Sequence, residues 1–164
     1  MILHELVTEA ARRGPDTLAV ACGEDALTYG QLDADADRYA AALRARGVRT
    51  GDRILIWGGK STAAVALMQG ALRAGAVYVP VSAANPAARV AIIARDCAAV
   101  LVAVDAEAAT RAGHDPEGLG DVPLVLLDDL LDQGTGRQVR PPHPARPDDL
   151  AYILYTSGST GTPK

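Results

Sequence analysis

The sequence predicts an α/β fold: a mostly parallel sheet with helices on both faces. Strand-like and helix-like segments alternate about every two dozen residues from Arg53 onward, the rhythm of right-handed βαβ units. Val100-Leu-Val-Ala-Val104 is apolar at every position, as a strand covered on both faces must be. The punctuation agrees. Gly75 stands where a helix C-cap glycine belongs, and Asn85-Pro86 offers an N-cap followed by proline at the first helical position.

Taken in order, Leu3, Leu6, Val7, Ala10 and Ala11 recur at helical spacing, and Gly14-Pro15 ends that helix. Leu18 to Cys22 and Ala26 to Tyr29 form a short hairpin around Gly23-Glu24-Asp25. Thr28-Tyr-Gly-Gln31 has capping-box spacing, a hydroxyl at the cap with an amide three residues on. The helix it opens buries Leu32, Ala36, Tyr39, Ala40 and Leu43 and stops at Gly47, with Arg38, Arg44 and Arg46 on a solvated face. Arg53-Ile-Leu-Ile-Trp57 is an apolar strand, and Lys60 to Ala74 a helix burying Ala64, Leu67, Met68, Ala71 and Leu72. Val77-Tyr-Val79 is the next strand, ended by Pro80. The following helix carries Val90, Ile93, Ala94 and Cys97 on one face. Leu124-Val-Leu-Leu127 comes after a less regular stretch around Gly113 to Gly120. The even spacing brings a leucine-rich repeat to mind, but no repeated consensus accompanies it. Gln133 to Asp149, rich in glycine, proline and charge, is an exposed connector in which His143 reads as a solvated loop histidine. The connector returns to the sheet through Leu150 to Tyr155, expected as a buried strand.

Bulk composition bounds the function. At 164 residues the chain suits one medium domain, burying roughly 70% of its unfolded surface. With 49% hydrophobic residues, 22% charged and a net charge of −4, it lacks the basic field of a nucleic-acid binder. Cys22 and Cys97 lie far apart within apolar patterns and read as thiols in a reducing compartment. His4 and Glu5 fall where a signal peptide needs its apolar core, and no apolar run approaches the roughly 20 residues that span a bilayer. The expectation is a cytoplasmic protein with neither a nucleic-acid nor a membrane partner.

Two stretches combine glycine, hydroxyl and lysine. Trp57-Gly58-Gly59-Lys60-Ser61-Thr62 ends in Gly-Lys-Ser, as a nucleotide-binding P-loop does. That motif also needs a glycine five positions before the Gly-Lys pair to wrap the phosphates, and Ile54 stands there in mid-strand. The stretch therefore reads as a tight strand-to-helix turn in which Ser61 or Thr62 caps the helix. The second is Thr156-Ser157-Gly158-Ser159-Thr160-Gly161-Thr162-Pro163-Lys164. Its hydroxyls and unhindered backbone N–H groups donate hydrogen bonds and Lys164 adds charge, a set suited to a polyphosphate. Such clusters also occur in flexible surface linkers. The apolar run feeding this one favours phosphate, because loops after parallel strands are where α/β folds bind ligands.

Leu150-Ala-Tyr-Ile-Leu-Tyr-Thr-Ser-Gly-Ser-Thr-Gly-Thr-Pro-Lys164 resembles the phosphate-loop signature of the acyl-adenylate-forming enzymes. That superfamily includes nonribosomal-peptide adenylation domains, D-alanine–carrier-protein ligases and acyl-CoA synthetases. Pro15-Asp-Thr-Leu-Ala-Val20, Leu27-Thr-Tyr-Gly-Gln-Leu32 and Ala71-Leu-Arg-Ala-Gly-Ala-Val-Tyr-Val-Pro80 fit the same family in the same order, so the resemblance covers essentially the whole chain. It implies the N-terminal portion of an adenylation-domain large subdomain, and a two-step ligase. In such an enzyme a carboxylate attacks the α-phosphate of ATP, bound with Mg2+, to give an acyl-adenylate and pyrophosphate. A thiol, on the phosphopantetheine of a carrier protein or on coenzyme A, then takes the acyl group. By this resemblance Thr156, Ser157, Ser159 and Thr160 offer hydroxyls to the β- and γ-phosphates, Gly158 and Gly161 open backbone, and Lys164 charge. Donors preorganised there stabilise the charge that builds on the leaving group. No catalytic residue and no metal ligand is expected in this chain.

Ser159-Thr160 and the Ala-Val-Tyr-Val-Pro segment are more similar to the amino-acid-activating members, so an amino acid or other small carboxylic acid is the expected substrate. The chain departs from the family twice. Gln31 replaces the usual glutamate, though either residue completes the capping box, and Val81-Ser-Ala-Ala-Asn85-Pro86 lacks the common Asp-Pro. Family members run to several hundred residues, with the carboxylate-anchoring, ribose-binding and substrate-selecting segments beyond the phosphate loop. The expectation is therefore an N-terminal fragment over residues 1–164, inactive alone, with the remaining part of the enzyme as a partner, conceivably a second chain. The alternative is a non-catalytic α/β nucleotide-binding or regulatory module.

Overall fold

The computed structural model describes residues 2–113 and 119–156. Its elements run α1 (Leu3–Arg13), β1 (Leu18–Cys22), β2 (Asp25–Thr28), α2 (Tyr29–Ala45), β3 (Arg53–Gly58), α3 (Thr62–Ala74) and β4 (Val77–Ser82). There follow α4 (Ala87–Asp96), β5 (Ala99–Val104), α5 (Ala106–Gly113), β6 (Leu124–Leu126) and α6 (Leu127–Gly134).

Local chemistry sets the helix ends. The Thr28 hydroxyl accepts the Gln31 N–H at 3.3 Å while the Gln31 side chain accepts the Thr28 N–H at 2.9 Å, closing a reciprocal cap on α2. Ser61 caps α3 by accepting the Ala64 N–H at 3.1 Å. Gly75 ends α3 at a φ of 84°, a left-handed conformation that glycine adopts without a Cβ penalty. α2 and α3 approach so closely at Gly70 that a Cβ there would lie 2.5 Å from the Tyr39 Cβ.

β3, β4, β5 and β6 form one parallel sheet in the order β4-β3-β5-β6, while β1 and β2 pair as a separate antiparallel hairpin. Alternation along the sheet divides two cores. Ile54, Ile56, Leu101, Ala103 and Val125 face α2, α3 and α6; Leu55, Trp57, Val79, Val81, Val102 and Val104 face α4 and α5. Helices therefore cover both faces, as expected for βαβ connections of one hand.

Several expectations change. In α1, Leu3 and Leu6 are exposed (42% and 44%) and His4 is buried (3%), because α1 is held by polar contacts from Thr8 as well as by its half-buried Val7. Met68 is half-buried rather than buried. β4 does not end at Pro80 but continues to Ser82. The proline is tolerated because the backbone of Tyr78, two residues earlier, points its N–H and C=O away from β3, and Pro80 shares that orientation. Its missing N–H therefore costs the β3–β4 ladder nothing. Pro86, not Asn85, caps α4, since the Asn85 amide donates back to the Ser82 carbonyl at 3.1 Å. Leu127 opens α6 rather than closing β6, and α5 and α6 were not anticipated from the pattern.

The largest correction concerns the segment feeding the glycine-rich loop. Instead of a buried strand, residues 150–156 make a single parallel bridge, Tyr152 to Tyr78, on the outer side of β4. Ala151 C=O accepts the Tyr78 N–H at 3.2 Å and Ile153 N–H donates to the Tyr78 C=O at 3.1 Å. The next rung would need an N–H from Pro80, which has none. Pairing stops there, leaving Leu150, Tyr152 and Leu154 exposed at 67%, 48% and 60%.

Candidate functional site

The strand order places a topological switch point between the carboxyl ends of β3 and β5. β3 connects outward to β4 on one side, and β5 connects outward to β6 on the other. The turn from Gly58 to Ser61 lies at one lip of this crevice. Asp105, leaving β5, fills it: its Oδ2 accepts the Gly59 N–H at 2.7 Å and its Oδ1 accepts the Ala108 N–H at 2.7 Å, capping α5. A Cβ on Gly58 would fall 2.5 Å from that carboxylate, so a larger residue there would displace the Asp105 side chain. The Gly-Lys-Ser turn thus spends its N–H on an acidic side chain of its own protein, where a phosphate would need the donor free. Lys60 is exposed and its carbonyl accepts the Cys22 thiol at 3.1 Å. The structural assignment of this turn is a helix cap.

The other candidate begins at Thr156, which is exposed at the end of the bridged segment. Ser157, Gly158, Ser159, Thr160, Gly161 and Lys164 lie outside the described residues. What the structure supplies is the mounting of that loop. The Tyr152 ring stacks on Tyr78 at 5.5 Å, and burial, with Tyr152 beside it, raises the Tyr78 phenol above its ordinary pKa. Ile153 and Tyr155 pack against the α4–α5 core. The Tyr155 hydroxyl donates to Asp96 Oδ2 at 2.5 Å, and burial together with this carboxylate raises its pKa.

Upstream, the connector is tied down at its middle. The His143 N–H donates to the Arg73 carbonyl at 2.8 Å, and its ring lies over Gly75, where an added Cβ would come within 2.9 Å of the imidazole. Thr50 Oγ1 lies 3.5 Å from His143 Nδ1, and Asp149 Oδ2 lies 3.6 Å from Nε2. The solvated histidine expected from the sequence is therefore seated, with its side chain 23% exposed. Its pairing with half-exposed Asp149 is worth at most about 1 kcal/mol. No local signal marked it, since Arg73 and Thr50, which seat it, are distant in sequence and only Asp149 is near.

His143 and the buried His4 both line a cavity of about 560 Å³, whose wall also includes the apolar Leu72 and Val77 and the polar Thr50, Arg146 and Asp149. Burial, with Arg73 nearby, lowers the His4 pKa. Arg73 itself is 2% exposed and joins three helices: it donates to Asp33 Oδ1 (2.5 Å) and Asp37 Oδ1 (2.7 Å) on α2 and to Thr8 Oγ1 (3.0 Å) on α1. Among the described residues no cluster of three or more histidine, cysteine or acidic side chains could hold a metal ion. No described helix is long and apolar enough to cross a membrane.

Comparison with known proteins agrees with this framework. Residues 7–164 match the family of AMP-binding enzymes. The chain is 44% identical, over 99% of its length, to an L-proline–[L-prolyl-carrier protein] ligase of Pseudomonas fluorescens, and covers 34% of that ligase. A ligase of the same description from Streptomyces coelicolor is 37% identical over 87% of the chain, which covers 30% of it. The chain thus spans about a third of the length of these curated relatives. Among solved structures, the inhibitor-bound N-terminal domain of FACL13 from Mycobacterium tuberculosis superposes with a TM-score of 0.86 at 28% identity, over 98% of this chain and 42% of that one. VinN in complex with 3-methylaspartate gives 0.85 at 27% identity, over 100% and 46%. A parallel sheet with helices on both faces and a family match over nearly every residue lead to one conclusion: the chain belongs to the AMP-binding enzyme family.

Proposed function

We propose that the complete protein is an ATP-dependent ligase that activates an amino acid as its acyl-adenylate and passes the acyl group to a thiol. This chain would be its N-terminal segment. The observation carrying the proposal is the stretch from Leu150 to Lys164, whose donors suit a polyphosphate and whose chain order follows the other family segments. In this reading Thr156, Ser157, Ser159 and Thr160 bind the β- and γ-phosphates through hydroxyls, Gly158 and Gly161 through backbone N–H, and Lys164 through charge. Magnesium, carried by the nucleotide's phosphates, would offset the negative charge of the leaving pyrophosphate.

The relatives named as prolyl-carrier-protein ligases make L-proline the first acid to try and a carrier-bound phosphopantetheine the preferred acceptor, with coenzyme A as the other. Cys22 and Cys97 are both free thiols, in keeping with a reducing cytoplasm. The test is acid-dependent exchange of labelled pyrophosphate into ATP by the complete protein, run across the amino acids. Exchange with at least one acid is expected. Ser157→Ala and Lys164→Ala should each lower it by about tenfold or more, the loss of one charge-assisted bond. Wild-type rates in both variants would remove the site assignment, and no exchange with any acid would remove the ligase reading in favour of a binding module.

A further inference from the structure

We propose that His143 and Asp149 form a clasp that helps to set the register of residues 150–156 against β4, and so the place of the Thr156 hydroxyl. The inference rests on the ligase reading for its consequence, but not for its geometry. The segment from Leu150 to Tyr155 alternates outward Leu150, Tyr152 and Leu154 with inward Ala151, Ile153 and Tyr155. Such a pattern is nearly unchanged by a slip of two residues, which keeps every side chain on its own face. A ladder would normally resist the slip, yet Pro80 limits pairing to the one bridge at Tyr152. A two-residue slip would carry Thr156 about 6.6 Å along the sheet edge, beyond the reach of any hydrogen bond its hydroxyl makes in the correct position.

Besides the Tyr152–Tyr78 stack and the Tyr155–Asp96 hydrogen bond, the register is set where the segment begins. His143 is held to the sheet frame by its N–H on the Arg73 carbonyl (2.8 Å), by Thr50 (3.5 Å) and by the space Gly75 leaves open. Asp149 Oδ2 lies 3.6 Å from Nε2 of that ring, within ion-pair distance of a protonated imidazole, and its carboxylate accepts the Arg146 N–H at 2.7 Å, closing the turn that delivers Leu150. Only one residue, Leu150, separates the clasp from Ala151, whose carbonyl receives the Tyr78 N–H. His143 and Asp149 are positioning residues: they hold the segment, and touch no substrate.

The test compares His143→Ala, Asp149→Ala and the double variant of the complete enzyme with wild type. KM for ATP in pyrophosphate exchange should rise about three- to fivefold in each single variant, and no further in the double, as expected for two groups acting as one unit. KM for the acid should stay within about twofold. In parallel, hydrogen exchange at the Tyr78 and Ile153 amides, the two donors of the bridge, should quicken in each variant. Unchanged ATP KM with unchanged protection at those amides overturns the clasp. So does an equal rise in both KM values, which would signal general loosening. If the wild-type enzyme exchanges with no acid, the ligase reading fails, and the amide protection alone still decides the clasp.

Discussion

At the scale of single residues, burial decides which polar groups matter. His4 has the composition of a surface residue and the position of a core one, facing the cavity below the connector at 3% exposure. Its pKa is lowered by burial first and by Arg73 second, so the folded state favours the neutral ring. The unfolded chain then takes up the proton first on acidification. His4 costs nothing above its ordinary value of 6.5, and destabilises the fold progressively as pH falls through 6.5 toward the lowered folded value. Urea denaturation of wild type and His4→Gln between pH 7.5 and 5 should show the difference, with the variant losing less stability over that interval. Arg73 is the opposite case, a buried charge whose two terminal nitrogens are paired with Asp33 and Asp37 while its Nε has no partner among the described residues, and removal of either carboxylate would leave it further under-paired. Neither residue was legible in the sequence. The α1 periodicity pointed to Leu3 and Leu6 as the inward face, whereas His4 and Thr8 face inward because α1 docks on Arg73. That preference belongs to a tertiary partner 65 residues away from Thr8.

At the scale of elements, most boundaries were legible because they depend on neighbours in sequence: the Thr28–Gln31 cap, the Ser61 cap and the Gly75 stop are all local chemistry. The errors came where a strand's identity depends on its neighbour across the sheet. Pro80 read as a strand end and is a strand interior; Leu150 to Tyr155 read as a strand and makes one bridge. The two errors have one cause, the missing N–H of Pro80 on the outer side of β4. Pro80→Ala supplies that donor opposite the Ile153 carbonyl. The expected outcome is an extra rung, seen as a protected amide at residue 80 of the variant and slowed hydrogen exchange at Tyr155, whose N–H would then face the residue 80 carbonyl. Unaltered exchange at Tyr155 would show that something other than the proline holds the segment away.

At the scale of the whole molecule, the fold class followed from the alternation of apolar runs and was the most secure reading, since it needs only periodicity. The mounting of the phosphate loop was legible only in outline: its residues stand out in sequence, but the His143 seat and the Tyr155–Asp96 bond are long-range. The sheet's β4 side ends in an apolar fringe, with Leu150, Tyr152 and Leu154 all about half exposed or more. A strand edge of that kind invites a second copy. The isolated chain should self-associate as its concentration rises, and Leu154→Glu should shift it toward monomer in sedimentation. A wild-type chain that stays monomeric at high concentration would show the fringe to be harmless.

The order of the sheet also bears on how the protein is made. β3 sits between β4 and β5, so Arg53 has Val77 on one side and Ala99 on the other, both synthesised later. At roughly 5–20 residues per second, the ribosome holds Leu55 and Trp57 without their flanking strands for seconds. Their core cannot close until Val102 and Val104 have cleared the exit tunnel. During that interval the nascent chain presents an apolar strand unpaired, a natural point for a chaperone to bind.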